Sequence, residues 1–159
     1  IIEAYSNENP QLRSKVIMED TLCVVCRQDH PRLTGDTILP EQFLSESHVT
    51  HSQLEKKGGY LIGRGLKDDN ILGKRHVAWQ ASSIMETLPI IEKCDYITLL
   101  PQNLVDQYLP VYNLKQLNTA FLQEPVQVVI YWHSSRTNDP THKWFREMFS
   151  RATKKYRVK

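Results

Sequence analysis

The sequence predicts an α/β fold, because segments with the two-residue period of strands alternate with segments that have the period of helices. Apolar and β-branched runs at residues 21–26, 96–100 and 126–132 predict buried strands, and an amphipathic pattern over 140–156 predicts a terminal helix. This alternation favours a largely parallel sheet. We find no internal repeat and no linker rich in Pro, Gly or Ser, so 159 residues suit one domain or a two-lobed one.

Local signals set the predicted elements of the first half of the chain. The segment Asp29-His30-Pro31 ends a strand, or a pair of strands, over 16–27, because proline fixes the turn and lacks an N–H donor. Pro40 stands near the first position of a short helical turn at 39–44. The elements predicted after it are a short strand at 48–51, a polar and glycine-rich loop at 52–59 and a helix at 60–67.

The second half repeats the alternation of strands and helices. Ser82 or Ser83 is the predicted N-cap of a helix that continues to Ile91, and Pro89 should kink this helix or delay its start. The other predicted elements are strands at 76–80 and 96–100, a short helix at 104–109, the strand at 126–132 and the helix at 140–156.

Composition and charge exclude several classes of function. The chain is 40% hydrophobic and 24% charged, and no run approaches the roughly 20 apolar residues that a membrane helix needs. A net charge of +2 is too small to predict a nucleic-acid surface. The densest basic stretch, at 151–159, is typical of a solvated helix end.

The three cysteines favour a reducing compartment and core packing over metal or disulfide chemistry. Cys23 and Cys26 have the CxxC spacing of some metal sites, but they lie in a predicted strand, where residues three apart point to opposite faces. They therefore cannot chelate one ion together, and we expect both thiols to be buried in the core.

Motifs for catalysis and for cofactor binding are absent from the sequence. The glycines at 58–65 fit neither a dinucleotide nor a phosphate-binding loop, and His48 and His51 should diverge on a strand rather than share a metal. There is no GxSxG or HExxH motif, and no carboxylates are paired for acid and base work. We expect no enzyme activity, no metal and no cofactor.

The order and spacing of several segments carry a family resemblance. They are a strand and histidine-proline turn at 22–33, the segments 43–52 and 75–79, the helix at 88–91, the strand and proline at 95–101, and Trp132-His133 followed by 139–146. Together they resemble the effector-binding, substrate-binding-like domain of LysR-type transcriptional regulators. Trp132-His133 and the segment 139–146 are similar to the corresponding segments of the branch that includes nodulation and aromatic-degradation regulators.

The resemblance implies a fold like that of type 2 periplasmic binding proteins, in which two crossing strands join two Rossmann-like lobes. Residues 1–159 would then be a partial effector-binding domain that lacks the winged helix-turn-helix and the first units of the sensor domain. The first, incomplete lobe would comprise 1–27 and 121–159, and the second lobe would comprise 28–120. The terminal helix, with Trp144, Phe145, Met148 and Phe149, should pack in the core of the first lobe.

In such a fold the ligand lies in the cleft between the lobes, where strand ends and helix N-termini offer unpaired N–H groups. His133 would face the second lobe from the returning strand. The same residue types also serve as helix caps and turn residues without any ligand. The residues expected to bind an effector are Thr50, His51, Ser52, Gln53, Gln80, Ala81, Ser82, Ser83 and His133.

The function that the resemblance implies is small-molecule sensing in a cytoplasmic DNA-binding regulator. The effector would be an aromatic or carboxylate metabolite, and its binding would be relayed through packing in a homo-oligomer, a dimer or a tetramer. DNA would be contacted only through the missing N-terminal domain, and no membrane is involved. The main rival is a free solute-binding protein of the same fold, and the second is an enzyme on an α/β scaffold.

Overall fold

The structure is a computed structural model that describes residues 1–3, 9–51, 69–122 and 125–156. It contains two β-sheets. The strands predicted at 48–51, 76–80, 96–100 and 126–132 are confirmed, and two strands share the segment 16–27, whereas the strand at 114–117 was not predicted. The eight described strands are β1 (Ile2–Glu3), β2 (Leu12–Asp20), β3 (Leu22–Arg27), β4 (Ser47–His51), β5 (His76–Ala81), β6 (Tyr96–Pro101), β7 (Leu114–Leu117) and β8 (Val126–His133).

Helices follow or precede most strands, as the sequence predicts. The described α-helices are α1 (Pro40–Ser45), α2 (Asp69–Gly73), α3 (Ile84–Lys93), α4 (Gln102–Tyr108) and α5 (Pro140–Ala152). Ser83 caps α3, and Pro89 lies inside that helix rather than delaying its start. The helix predicted at 60–67 lies outside the described residues. Among the helices that are described, none is long and apolar enough to cross a membrane.

The two sheets differ in the direction of their strands. The first sheet has the order β1-β8-β2, and both of its pairings are antiparallel. The second has the order β5-β4-β6-β3-β7, in which β4 is parallel to β5 and β6, while β3 is antiparallel to β6 and β7. The expectation of a largely parallel sheet is therefore wrong. β3 begins beside the carboxyl end of β6 and is antiparallel to it.

The chain passes between the sheets at two places. β2 ends at Asp20 in the first sheet, and β3 begins at Leu22 in the second. The chain returns to the first sheet between the end of β7 at Leu117 and the start of β8 at Val126. The segment 22–27, which the sequence assigned to the first lobe, thus pairs with strands of the second sheet. The lobe boundaries themselves stay a prediction.

Both faces of the second sheet are covered by apolar side chains. Val25 packs on one face with Leu88 of α3 and Val105 of α4. Val24 packs on the other face with Phe43 of α1 and with Leu122. Cys23 belongs to the first of these clusters and Cys26 to the second, so the prediction that the two thiols point to opposite faces is confirmed.

Burial should make these two thiols unreactive. Burial raises the pKa of Cys23 to about 12, with nearby Asp20 and Asp106 adding to the shift, and raises the pKa of Cys26 to about 11. Because the thiolate is the nucleophile, we expect iodoacetamide at pH 8 to modify only the half-buried Cys94 in the native protein and all three cysteines after denaturation. Mass spectrometry of the native sample would contradict this if Cys23 or Cys26 were modified as fast as Cys94.

The terminal helix corrects one expectation about the core. Trp144, Phe145 and Met148 are 61%, 48% and 43% exposed, so they are not core residues of the described structure. The helix instead buries Arg146 and Ser150. The Arg146 guanidinium lies 4.5 Å from the centre of the Trp132 ring and donates to the carbonyls of Arg136 and Thr137, so its burial is supported by specific partners.

Candidate functional site

The carboxyl ends of three strands meet at the edge of the second sheet where the chain crosses between sheets. Leu22, the first residue of β3, pairs with Pro101, the last residue of β6. Because β4 is parallel to both β5 and β6, their carboxyl ends also point to this edge. We call it the crossover edge. It is the place in an open α/β sheet where ligands usually bind.

Four of the predicted site residues are neighbours at the crossover edge. Thr50 pairs with Gln80, and His51 pairs with Ala81, in the parallel register of β4 and β5. Gln80 is exposed and Ala81 is buried. Ser52 and Gln53, which were also predicted to bind the effector, lie outside the described residues.

Thr50 offers a buried hydroxyl group at this edge. Thr50 is only 6% exposed, and its Oγ1 has no hydrogen-bond partner among the described residues. The neighbouring Val49 points to the α3 face of the sheet, so Thr50 points to the face that carries α1. A buried hydroxyl without a partner costs about 1–3 kcal/mol, and a bound polar ligand would relieve that cost.

The start of α3 confirms the predicted cap. Ser83 Oγ accepts a hydrogen bond from the Glu86 backbone N–H at 3.3 Å. The Glu86 carboxylate in turn accepts the Ser82 backbone N–H at 2.9 Å and the Ser82 hydroxyl at 2.7 Å. The carboxylate therefore already complements the positive end of the helix dipole, and an anion bound there would have to displace it.

The sequence reasoning missed a polar cluster at the first crossing. Asp20 is 5% exposed, and its carboxylate accepts the backbone N–H of Thr21 at 2.9 Å and that of Asn103 at 3.4 Å. The backbone N–H of Gln102 donates to the Thr21 carbonyl at 2.8 Å. These hydrogen bonds join the end of β2 in the first sheet to the start of α4, which follows β6 of the second sheet.

Two amides extend this polar cluster across the second sheet. Gln102 and Gln116 exchange hydrogen bonds of 3.0 and 2.9 Å, and Gln102 Nε2 also donates to Asp106. The Cys23 thiol donates to Gln102 Oε1 at 2.7 Å. The only local signal for these residues was the position of Gln102 and Asn103 directly after Pro101, which ends a buried strand.

The structure does not bring His133 to the crossover edge. β8 begins at Val126, opposite Asp20, and ends at His133, opposite Leu12. Seven residue steps at about 3.4 Å place His133 roughly 24 Å along the strand from that crossing. Its ring Nδ1 instead caps the turn Ser134–Arg136, with Ser135 Oγ at 2.8 Å.

In the described parts of the chain, His, Cys, Asp and Glu side chains form no group of three or more that could hold a metal ion. The described groups at the crossover edge are hydroxyls, amides and carboxylates. They suit hydrogen bonding to a polar solute.

Comparison with known proteins points to one family. The model of the family described as "LysR substrate binding domain" matches residues 1–154. The chain is 26% identical over 142 residues to the HTH-type transcriptional regulator LinR of Sphingobium indicum. This match covers 87% of the chain and 44% of LinR. The chain is 25% identical over 135 residues to Nodulation protein D 2 of Rhizobium leguminosarum bv. phaseoli, covering 85% of this chain and 41% of that protein. The chain thus spans less than half the length of either relative.

Solved structures share the fold. The effector-binding domain of QuiR, determined in complex with shikimate, matches with a TM-score of 0.75 and 18% identity. This match covers 99% of the chain and 72% of the QuiR domain.

Proposed function

The chain belongs to the LysR substrate-binding domain family, and we propose that it is the effector-sensing part of a transcriptional regulator, with the effector bound at the crossover edge. The observation that carries this proposal is the buried hydroxyl of Thr50, which lacks a partner among the described residues at an edge where three strands end. The placement of Thr50 beside Gln80 supports a site that reads hydroxyl or carboxylate groups.

The proposed effector is a small carboxylate or aromatic metabolite. QuiR, whose effector-binding domain shares this fold, was determined with shikimate. Thr50, Gln80 and Ser82 can donate and accept hydrogen bonds, so they suit a solute that carries several oxygens. The residues proposed to contact it are Thr50, His51, Ser52, Gln53, Gln80, Ala81, Ser82 and Ser83.

The relay of the signal is proposed to depend on movement of the two lobes. A ligand held between the first sheet and the crossover edge would favour a closed arrangement, because it contacts both sides only in that arrangement. Closure would change how subunits of a homo-oligomer pack, and so how the DNA-binding parts of the whole regulator sit on DNA. The three cysteines, free in the structure, suit the cytoplasm as its location.

Calorimetric titration with a panel of small aromatic and carboxylate metabolites tests the proposed site. For any compound that binds, Thr50→Val should weaken the affinity about tenfold, because the hydroxyl that meets the ligand is lost while the shape is kept. Thr34→Val is the matched control, since Thr34 is exposed in the loop after the histidine-proline turn. The Thr34→Val variant should bind the same compound with the affinity of the wild type.

Two results would contradict the proposal. Unchanged affinity in Thr50→Val would place the effector elsewhere in the domain. If no compound of the panel bound to the intact sensor domain, a regulator that works without an effector would be favoured.

A further inference from the structure

Two buried polar atoms of β4 have no hydrogen-bond partner among the described residues. They are Nδ1 of His48 and Oγ1 of Thr50. His48 is fully buried, and Thr50 is 6% exposed. Because an unpaired polar group in a protein interior is destabilising, two of them in one short strand indicate that a polar partner binds there.

The two side chains lie on the same face of the second sheet. Residues two apart in a strand point the same way, and Val49 between them belongs to the cluster on the opposite face. The ring of His48 packs edge-on against Phe43 of α1, with 4.6 Å between the ring centres. Successive side chains on one face of a strand are roughly 7 Å apart, so one hydroxyl group between these two can contact both.

The pairing of β4 with β6 ends at this level of the sheet. Among the described residues, the parallel register between the two strands ends with His48 opposite Ile97, although both strands continue. At the next position the Thr98 hydroxyl donates to the Val49 carbonyl at 2.9 Å. Thr50 therefore lies where two neighbouring strands are no longer joined by their register, close to the crossover edge. Crevices between the carboxyl ends of strands are where open α/β sheets bind ligands.

The hydrogen bond between His48 and α1 determines the chemistry of the missing partner. Nε2 lies 2.8 Å from the Phe43 carbonyl oxygen, which can only accept, so Nε2 carries the ring proton. Burial lowers the pKa of His48 to about 4, so the ring is neutral at pH 7 and Nδ1 is an acceptor. A carboxylate cannot donate to this nitrogen, whereas a hydroxyl group donates to Nδ1 and accepts from Thr50 at the same time.

We infer that Nδ1 of His48 and Oγ1 of Thr50 form a subsite for a hydroxyl group of the effector. The inference rests on the proposed function and narrows the effector to hydroxylated solutes, namely phenols or hydroxy acids. A carboxylate of the same effector binds elsewhere along the crossover edge. His48 is then a specificity-determining residue, because an analogue without the hydroxyl leaves two buried polar atoms unpaired.

Matched pairs of ligands that differ by one hydroxyl group test this subsite in the full-length protein. Calorimetric titration at pH 7 compares benzoate with its monohydroxy derivatives, and succinate with malate. We expect a hydroxylated compound to bind about tenfold more tightly than its partner.

Substitution of His48 should remove this preference selectively. His48→Gln keeps a donor for the Phe43 carbonyl but loses the Nδ1 acceptor, so only the affinity for the hydroxylated compound should fall, by about tenfold. The affinity for its partner should stay unchanged, which a merely structural role of His48 would not produce. His133→Gln is the control, because His133 is exposed, and it should keep the wild-type preference.

Nitrogen NMR of the histidine rings gives a readout on the wild type itself. In protein labelled with nitrogen-15 histidine, the resonance that is absent from His48→Gln belongs to His48. Its Nδ1 signal should move to lower frequency when the hydroxylated compound is added, because a hydrogen bond then engages the nitrogen lone pair. The partner without the hydroxyl should leave the signal in place.

Each other result overturns the inference. Equal affinities within every pair and an unmoved Nδ1 signal would show that water, rather than the effector, meets the two atoms. Equal losses for both members of a pair in His48→Gln would make His48 structural, and a preference that survives the substitution would place the hydroxyl elsewhere. In these cases the effector site itself stands, whereas binding of no compound to the wild type would remove the proposed function as well.

Discussion

Lowering the pH from 7 to 4 is expected to destabilise the protein by about 3 kcal/mol through His48 alone. His48 is fully buried, and Nε2 is 2.8 Å from the carbonyl oxygen of Phe43, whose ring packs edge-on at 4.6 Å. Its Nδ1 has no partner among the described residues. Burial therefore lowers the pKa of His48 to about 4, from an unfolded value near 6.5.

The sign follows from these two pKa values. Well above pH 6.5 the ring is neutral in both states, so folding does not change the number of bound protons. Below pH 6.5 the unfolded chain takes up a proton that the folded protein refuses, so stability falls until the pH reaches the folded pKa near 4. The loss should therefore be concentrated between pH 6.5 and pH 4.

Urea denaturation at several pH values between 4 and 7 measures this loss. His48→Gln keeps an amide that can donate to Phe43 and removes the titration, so its stability should depend much less on pH. His133→Gln is the control, because His133 is exposed and its replacement should leave the pH dependence of the wild type. Parallel pH profiles for His48→Gln and the wild type would refute the role of His48. A smaller residual slope is expected from His30, whose pKa is also lowered by burial.

The behaviour of His48 shows what the sequence could and could not predict. Period-two alternation placed His48 on a strand, which β4 confirms. Its burial under Phe43 depends on α1 folding back over β4, a contact that no local pattern encodes. Strand direction was also beyond reach of the pattern, since alternation is the same in parallel and antiparallel strands.

The same distinction applies to the candidate site. The family resemblance implied that Thr50 and Gln80 lie at strand ends, but it did not predict that the two residues pair. The contact between Asp20 and Asn103 joins residues 83 positions apart, so it is visible only in three dimensions. The period of α5 identified a helix with an apolar face, but it did not predict that Arg146 would be held inward by Trp132 and two carbonyls.

Replacing Arg32 with methionine is expected to destabilise the protein by about 3 kcal/mol. Its partner Glu46 is 3% exposed and accepts a bidentate pair of hydrogen bonds, from Nε at 2.9 Å and from Nη2 at 2.6 Å. Beside it, His30 Nε2 lies 3.9 Å from the same carboxylate. Methionine keeps much of the volume of arginine but leaves a buried carboxylate without its cation. We expect the lower end of the range for broken buried pairs, because the Arg32 side chain is 55% exposed and water can enter.

The cost should come from the unpaired Glu46 charge rather than from lost packing, and a second substitution separates the two causes. In the Arg32→Met background, Glu46→Gln removes the charge, so the double variant should be more stable than Arg32→Met alone. Urea midpoints for the wild type, both single variants and the double variant give the coupling energy. If Glu46→Gln instead destabilised Arg32→Met further, the carboxylate would be stabilised by groups other than Arg32, of which the ring N–H of His30, with Nε2 3.9 Å away, is the nearest candidate.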